Sequence, residues 1–251
     1  MRLKSKRVII AGGTTGIGAA VARRFLDEGA NVAVWGRSPE NTKAIARELP
    51  KLSDVAAVDV ADAEGIDSAF AKSLKHLGGL DVLICNAGIS IRRSFLDIPR
   101  EEFDRVMRVN LNGVFYVSQL AARYMTAQDR GGAILMTAST SATTAYRYYA
   151  DYNASKGAML AMMRTMAIEL APKIRVNAVN PGYTLTPMQE AEYSPEMLAE
   201  VNRIIPMGRH ARPEELASLY VYLASDEAAY ASGAVFTLDG AESIASGAAY
   251  L

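Results

Sequence analysis

The 251-residue chain lacks several features that mark specialised classes of protein. It has a single cysteine, Cys85, which has no second cysteine for an internal disulfide, and this favours a reducing compartment. No apolar run approaches the roughly 18 residues that would span a bilayer. Residues 1–10 lead into glycines rather than a cleavage site, and they predict a first strand rather than a signal peptide. We therefore expect a cytoplasmic protein with no membrane partner.

The chain also lacks an excess of charge of either sign and has few histidines. Its 27 Lys and Arg residues balance 27 Asp and Glu residues, so electrostatics give no reason to expect a nucleic-acid partner. The two histidines, His76 and His210, belong to no cluster of metal-ligating residues, and no metal is expected. Half of the residues are hydrophobic, which excludes a disordered chain and predicts a sizeable core.

Short apolar segments alternate with segments of helical spacing along the whole chain. The predicted strands are 7–11, 31–35, 54–58, 81–85, 132–138, 175–180 and 234–238. The predicted helices are 17–28, 40–49, 62–76, 101–127, 152–171 and 213–224. This alternation predicts an α/β fold in which helices cover both faces of a doubly wound parallel sheet of about seven strands. We expect one domain over 1–251, with the irregular segment 183–206 as a substrate loop or lid.

A glycine-rich turn follows the first predicted strand and opens the first predicted helix. Residues 11–18 read AGGTTGIG, with Gly12, Gly16 and Gly18 in the spacing Gly-x-x-x-Gly-x-Gly. Such a turn lets backbone N–H groups approach a pyrophosphate at a helix N-terminus. A glycine-rich turn that binds no ligand is the alternative, but the order strand, glycines, helix favours a Rossmann-type dinucleotide site.

Residues 139–156 bring a tyrosine and a lysine to one helix face. Tyr152 precedes Lys156 by four residues, and it is the only one of four nearby tyrosines with that spacing. A neighbouring ammonium is expected to lower the pKa of a phenol from its usual value of about 10. A phenol tuned in this way can exchange a proton with a carbonyl or alcohol oxygen. Surface packing is the alternative explanation of this pair.

Taken together, these motifs resemble the short-chain dehydrogenase/reductase family, in its branch of roughly 250-residue subunits. The resemblance covers essentially the full length and rests on six elements in family order. They are the glycine turn 12–18, Asn86-Ala87-Gly88, Asn110 within VNLNG, Ser139, the pair Tyr152 and Lys156, and Asn180-Pro181-Gly182 with Thr186. The resemblance implies an oxidoreductase that transfers hydride between a nicotinamide and a carbonyl or secondary alcohol.

The resemblance also implies a role for each matching residue. Tyr152 matches the general acid/base, and Lys156 matches the residue that lowers its pKa and holds the nicotinamide ribose. Ser139 matches the donor that polarises the substrate oxygen, and Asn110 matches the helix-kinking residue of a proton relay. The other implied cofactor contacts are Gly12, Thr14, Thr15, Gly16, Ile17, Gly18, Asp59, Val60, Asn86, Ala87, Gly88, Pro181, Gly182, Thr184 and Thr186.

The choice of dinucleotide depends on the end of the second strand. An acidic residue there would bind the ribose 2′-hydroxyl of NAD, but the family register places Gly36 at that position, followed by Arg37 and Ser38. A guanidinium pairs with a 2′-phosphate, and Ser38 adds a hydroxyl. We therefore predict NADP(H), with NAD(H) as the alternative, because Thr14 and Thr15 stand where NADP users often have a second basic residue.

The sequence leaves the substrate open. We predict that the substrate contacts Arg92, Ser141, Tyr146, Tyr149 and Tyr183. The substrate classes that fit are a sugar acid, a polyol or a small ketone. The alternatives are a 3-oxoacyl thioester reductase and a dinucleotide-binding regulator without turnover. The family resemblance further implies a homotetramer.

Overall fold

The computed structural model describes residues 1–245, and within them seven strands form one parallel sheet. The strand order is β3-β2-β1-β4-β5-β6-β7. The strands are β1 (Arg7–Ala11), β2 (Asn31–Gly36), β3 (Asp54–Ala57), β4 (Val82–Cys85), β5 (Gly132–Thr137), β6 (Ile174–Pro181) and β7 (Val235–Leu238). The predicted doubly wound α/β fold is confirmed. The single domain over 1–251 reaches beyond the described residues and stays a prediction.

Helices connect successive strands and cover both faces of the sheet. They are α1 (Gly16–Asp27), α2 (Pro39–Glu48), α3 (Ala63–Leu77), α4 (Arg100–Met107), α5 (Gly113–Ala127), α6 (Ala150–Leu170), α7 (Pro187–Glu192), α8 (Pro195–Ile204) and α9 (Pro213–Ala224). The predicted helix 101–127 is interrupted by a π-helical turn at Arg108–Asn112. The segment 183–206, predicted to be irregular, contains α7 and α8, each begun by a side-chain cap and a proline.

The strands are apolar on both faces because each face packs against helices. Along β1, Ile9 packs into the layer of α3, α5 and α6, whereas Val8 and Ile10 pack into the layer of α1, α2 and α9. Trp35 is fully buried in the first layer. Its indole N–H donates to the Ser73 hydroxyl at 2.9 Å, so this polar group stays satisfied in the core.

The sheet order reverses between β1 and β4, and this position determines where a ligand can bind. The chain leaves β1 toward β2 on one side, and β4 continues toward β5 on the other. The loops after β1 and β4 therefore diverge and leave a crevice at the carboxyl ends of the strands. Within 1–245, no helix is long and apolar enough to cross a membrane, and no group of three or more His, Cys, Asp or Glu side chains could hold a metal ion.

Candidate active site

A cleft of about 390 Å³ follows the carboxyl ends of the strands. One end lies against the glycine turn and the end of β2, and the other lies between α6 and α7. Most of the predicted site residues line it. They are Gly12, Thr14, Thr15, Gly16, Ile17, Arg37, Ser38, Asp59, Val60, Asn86, Ala87, Gly88, Ser139, Ser141, Tyr146, Tyr149, Tyr152, Lys156, Pro181, Gly182, Tyr183, Thr184 and Thr186.

The glycine turn is packed so closely that side chains are excluded from it. A Cβ on Gly12 would collide with the backbone of Asn86 and Ala87, and Gly12 also has a positive φ of 84°. Gly18 lies against the Gly12 carbonyl, beneath the surface of the cleft. The first turn of α1 has no acidic residue and no side-chain cap. Its backbone N–H groups are therefore free to donate hydrogen bonds to an anion. This cradle fits the pyrophosphate of a dinucleotide.

Hydrogen bonds join three strand ends beneath the cleft. The Asn86 amide donates to the Gly12 carbonyl at 2.7 Å, and the Thr137 hydroxyl donates to the Asn86 side-chain oxygen at 3.0 Å. The Tyr220 hydroxyl, from α9, lies 2.6 Å from the Thr137 hydroxyl. The loops after β1, β4 and β5 are thereby held in fixed relative positions, as a site that aligns two reactants requires.

Tyr152 and Ser139 face each other at the centre of the cleft. Tyr152 lies in the first turn of α6, and Ser139 follows β5 and precedes a short 3₁₀ turn. Burial raises the pKa of the Tyr152 phenol to about 12, while its hydrogen bond with Ser139 acts in the opposite direction. The phenol is therefore protonated at neutral pH and suited to donate its proton to an oxygen in the cleft.

Lys156 lies one helical turn after Tyr152 on α6. Its ammonium is buried, donates to the Thr137 carbonyl at 2.8 Å and lies 5.5 Å from the centre of the Tyr152 ring. Burial lowers the pKa of Lys156 to about 8. The pKa of the Tyr152 phenol lies above its usual value because the cost of burying the phenolate outweighs the opposing hydrogen bond with Ser139. The lowering of this pKa by Lys156 that the sequence suggests stays a prediction.

Asn110 lies behind the cleft, in the π-helical turn between α4 and α5. It is fully buried; its side-chain oxygen accepts from the Ile89 N–H at 2.8 Å, and its amide donates to the Ile89 carbonyl at 2.9 Å. The amide also donates to the Ser155 hydroxyl at 3.1 Å. A Cβ on Gly88 would lie 3.4 Å from the Asn110 oxygen and 3.5 Å from the Lys156 nitrogen. Asn110 thus fixes the loop after β4 against α6, close to Lys156.

The end of β2 has no acidic side chain because it has no room for one. A Cβ on Gly36 would collide with the Thr14 side chain. Arg37 is exposed and lines the adjoining part of the cleft. Ser38 is less free than the sequence suggests, since its oxygen caps α2 by accepting from the Asn41 N–H and its proton goes to Glu40. The cation available to a 2′-phosphate here is therefore Arg37.

The structure places four of the five predicted substrate contacts in the cleft and one outside it. Ser141, Tyr146, Tyr149 and Tyr183 line the cleft near Tyr152, whereas Arg92 does not line it. The Arg92 guanidinium lies 4.2 Å above the centre of the Tyr148 ring. This cation–π contact accounts for its position outside the cleft.

Several cleft residues were not singled out by the sequence. Asn153, Gln189, Glu192 and Tyr193 line the substrate end, and Glu242 accepts a hydrogen bond from the Tyr146 hydroxyl. Three of them belong to the predicted lid segment, but the sequence does not show which side chains face inward. Glu242 is ninety-six positions from its partner, and no local pattern signals such a contact.

Comparisons with known proteins agree with this arrangement. A family model described as enoyl-(acyl carrier protein) reductase matches residues 11–241. A short-chain type dehydrogenase/reductase from Mycobacterium marinum has a structure with a TM-score of 0.90, at 38% identity and 96% coverage of both chains. The chain belongs to the short-chain dehydrogenase/reductase family. A 3-ketoacyl-(acyl-carrier-protein) reductase from Brucella melitensis, complexed with NADH, matches with a TM-score of 0.91, at 32% identity and coverage of 96% and 99%.

Relatives within this family act on different compounds. The chain is 37% identical to a glucose 1-dehydrogenase of Gluconobacter oxydans, over 95% of this chain and 92% of the relative. It is 38% identical to a 3-oxoacyl-[acyl-carrier-protein] reductase of Thermotoga maritima, over 96% and 98%. It is 36% identical to an NADP-dependent (R)-specific alcohol dehydrogenase of Lentilactobacillus kefiri, over 95% and 97%. This short-chain dehydrogenase/reductase is accordingly an oxidoreductase of alcohols and ketones or of 3-oxoacyl thioesters.

Proposed function

We propose that the protein is an NADP(H)-dependent oxidoreductase that interconverts a secondary alcohol and a carbonyl compound. The observation that carries this proposal is the meeting of Ser139, Tyr152 and Lys156 in the cleft that also contains the glycine turn and Arg37. Its substrate is a sugar acid, a polyol or a small ketone. When bound, the nicotinamide would supply hydride to the carbonyl carbon or accept it from the carbinol carbon.

The chain's own residues would bind and orient the reactants and move the proton. Tyr152 would donate its phenolic proton to the carbonyl oxygen during reduction and, as the phenolate, accept the hydroxyl proton during oxidation. Ser139 would donate a hydrogen bond to the same oxygen and stabilise the charge that develops there. The positive charge of Lys156 would stabilise the phenolate that remains, and its position suits contact with the nicotinamide ribose. Asn110 would act as a positioning residue for the loop beside them.

The preference for NADP(H) rests on Arg37 and Gly36. A guanidinium beside the cleft supports recognition of a 2′-phosphate, and Gly36 leaves no carboxylate to repel it. The NADP-dependent relative of L. kefiri gives further support. The carboxylate of Glu40 lies near this position, bonded to Ser38, and favours NAD(H) as the alternative, as does the NADH complex of the B. melitensis structure.

Reduction of a 3-oxoacyl thioester is the second candidate, favoured by the T. maritima relative. A dinucleotide-binding regulator without turnover is the third, and the presence of Ser139, Tyr152 and Lys156 in one cleft argues against it. We also propose a homotetramer that binds a small-molecule substrate. Phe103 of α4, Phe115 of α5 and Ile168 of α6 are 40%, 43% and 80% exposed, and such apolar side chains support a subunit contact. The cytoplasmic location stays a prediction.

Nicotinamide absorbance provides the direct test of this function. NADPH and NADH would be offered in parallel with ketones, diketones and 3-oxoacyl thioesters, and the oxidised cofactors with polyols, sugars and sugar acids. Turnover of one compound class with NADP(H), well above that with NAD(H), would support the proposal. Tight binding of the dinucleotide without conversion of any compound would contradict it and favour the regulator.

A further inference from the structure

The substrate end of the cleft presents hydrogen-bonding groups that are electrically neutral or negative. Glu192 extends from α7 and accepts hydrogen bonds from two neutral hydroxyls across the cleft. Ser90, after β4, is one donor, and Tyr149, before α6, is the other at 2.9 Å. The Tyr149 ring packs edge-on against Tyr152 at 6.4 Å between ring centres, so the carboxylate is held close to the reacting group.

The phenol oxygens of Tyr146 and Tyr149, which line this end of the cleft, can accept hydrogen bonds more readily than donate them. Tyr149 gives its proton toward Glu192, and its oxygen lies 3.2 Å from the Tyr193 oxygen. Tyr146 gives its proton to Glu242 in the same manner. A phenol that donates to a carboxylate keeps its lone pairs for other partners. These phenol oxygens therefore favour a ligand that carries O–H donors.

Three neutral polar atoms at this end have no partner within the described chain. The Ser141 hydroxyl belongs to a residue only 6% exposed, yet that residue lines the cleft. Asn153 and Gln189 also line the cleft, and the side-chain oxygen of Asn153 and the side-chain nitrogen of Gln189 are buried without partners. Buried polar atoms of proteins are normally hydrogen-bonded. One of these atoms is an acceptor, one is a donor and one is a hydroxyl, and the group that satisfies all three kinds is another hydroxyl.

Within residues 1–245, the cleft has no cationic side chain paired with Glu192. Among the described residues, its cationic lining side chains are Arg37, at the end of β2, and Lys156, which donates to the Thr137 carbonyl. Two strands separate β2 from β5 in the sheet, a distance of about 14 Å at the usual strand spacing. A carboxylate or phosphate on the substrate would be repelled by Glu192, because neither of these two cations pairs with it.

We propose, on the basis of the function proposed above, that the substrate is a neutral polyhydroxylated compound of the sugar or polyol class, and that Glu192 and Ser141 select it through its hydroxyl groups. One carbinol would be oxidised to a carbonyl, with its hydride passing to the oxidised nicotinamide and its hydroxyl proton to the phenolate form of Tyr152. The remaining hydroxyls of the substrate would donate hydrogen bonds to Glu192 and to the phenol oxygens of Tyr146 and Tyr149. Of the three substrate types considered, this choice excludes the sugar acid.

The test compares compounds that share a six-membered ring or a carbon skeleton. The values of kcat/KM would be measured with oxidised cofactor for cyclohexanol, a panel of aldoses and alditols, gluconate and glucosamine, and with reduced cofactor for cyclohexanone and a 3-oxobutanoyl thioester. We expect the best neutral sugar or polyol to exceed cyclohexanol by about tenfold or more. A higher value for gluconate, for the thioester or for glucosamine would overturn the proposal, as would equal values for cyclohexanol and the sugars.

Glu192→Gln tests the assigned residue because it removes the charge and keeps the shape. We expect the ratio of kcat/KM for the best polyol over cyclohexanol to fall by about tenfold, mainly through KM, since a hydrogen bond to a charged group is lost. Glu190→Gln is the matched control, because Glu190 lies on the same helix but is exposed and does not line the cleft. A ratio unchanged in Glu192→Gln would overturn the role of this carboxylate.

A second variant, together with cyclohexanol and cyclohexanone, distinguishes failure of the proposed substrate class from failure of the proposed oxidoreductase function. Ser141→Ala should lower the same ratio even if Glu192→Gln folds poorly, and an unchanged ratio would count against the proposal. Turnover of cyclohexanol or cyclohexanone without any preference for polyols would overturn the substrate class and leave the oxidoreductase function standing. No turnover of any compound with either dinucleotide would overturn both.

Discussion

At the scale of single residues, burial controls the chemistry of the site more strongly than neighbouring charge does. The Tyr152 phenol has a pKa raised to about 12, and the Lys156 ammonium has a pKa lowered to about 8. Both shifts favour the neutral form, as expected where water is excluded. A bound dinucleotide and substrate would enter a site whose acid is already protonated.

The lowered pKa of Lys156 predicts a pH-dependent contribution to stability. The unfolded chain holds this proton up to a pKa of 10.5, whereas the folded chain releases it near 8. The unfolded state thus binds more protons between these values, and the free energy of unfolding should rise with pH across that window. Relative to Lys156→Met, the wild type should gain about 2 kcal/mol between about pH 7.5 and about pH 9.5.

Denaturant unfolding of both proteins at the two pH values measures this difference. Groups that do not interact with Lys156 titrate equally in the two proteins, so subtraction leaves Lys156 and its coupling to the buried Cys85. A difference that stays constant with pH would show that the folded lysine titrates at its ordinary pKa.

Arg37 is the residue that should decide between the dinucleotides. Arg37→Ala should weaken NADPH binding by about tenfold to a hundredfold and leave NADH binding within about threefold, because the guanidinium would pair with the 2′-phosphate alone. Titration of each cofactor by fluorescence or calorimetry measures both values. Arg47→Ala, at the exposed far end of α2, is the control. Equal weakening of both cofactors would contradict the assignment of NADP(H).

At the scale of elements, the site depends on close contact between the loops that follow β1 and β4. Gly12→Ala would place a methyl group against the backbone of Asn86 and Ala87 at a positive φ. We expect it to lower the free energy of unfolding by about 1–3 kcal/mol and to weaken dinucleotide binding. Gly78→Ala is the matched control, since Gly78 has a φ of 70° and nothing within 4 Å of the added Cβ. Equal effects would show that the loop contact contributes nothing.

The elements themselves were predictable because local patterns determine them. The apolar runs of β1 and β4, the glycine turn and the four-residue spacing of Tyr152 and Lys156 are all readable within short windows. The apolar pattern of 101–127 predicted one continuous helix, and only the family resemblance implied a kink at Asn110. The π-helical turn there accompanies a contact that no local pattern shows, from Asn110 to Ile89, twenty-one positions away. The inward direction of Glu192 was missed for the same reason, since its partners lie on other elements.

The pKa of Tyr152 shows a different limit of sequence reasoning. The spacing of the tyrosine and the lysine was enough to place them near each other, but a pKa depends on desolvation and on where the ammonium points. Neither quantity can be read from spacing. The bond from Lys156 to the Thr137 carbonyl determines that direction.

At the scale of the whole molecule, the exposed apolar side chains of α4, α5 and α6 predict association. A tetramer would have a mass near four times the 27.0 kDa of the chain, and light scattering after size-exclusion chromatography measures it. Phe115→Glu should reduce the association state, because it would place a charge in an apolar contact. A single species of 27.0 kDa in the wild type would contradict the proposed tetramer.

In the function proposed above, the parallel sheet and α6 bring the Tyr152 phenol to a carbonyl oxygen. The measurement that tests this most directly is kcat/KM of Tyr152→Phe on a compound that the wild type converts, with NADPH binding measured alongside. Loss of the acid/base should lower the rate by about 10²–10⁴-fold, while the affinity for NADPH stays near that of the wild type. Turnover near the wild-type value in a variant that binds the cofactor normally would contradict the assigned chemistry.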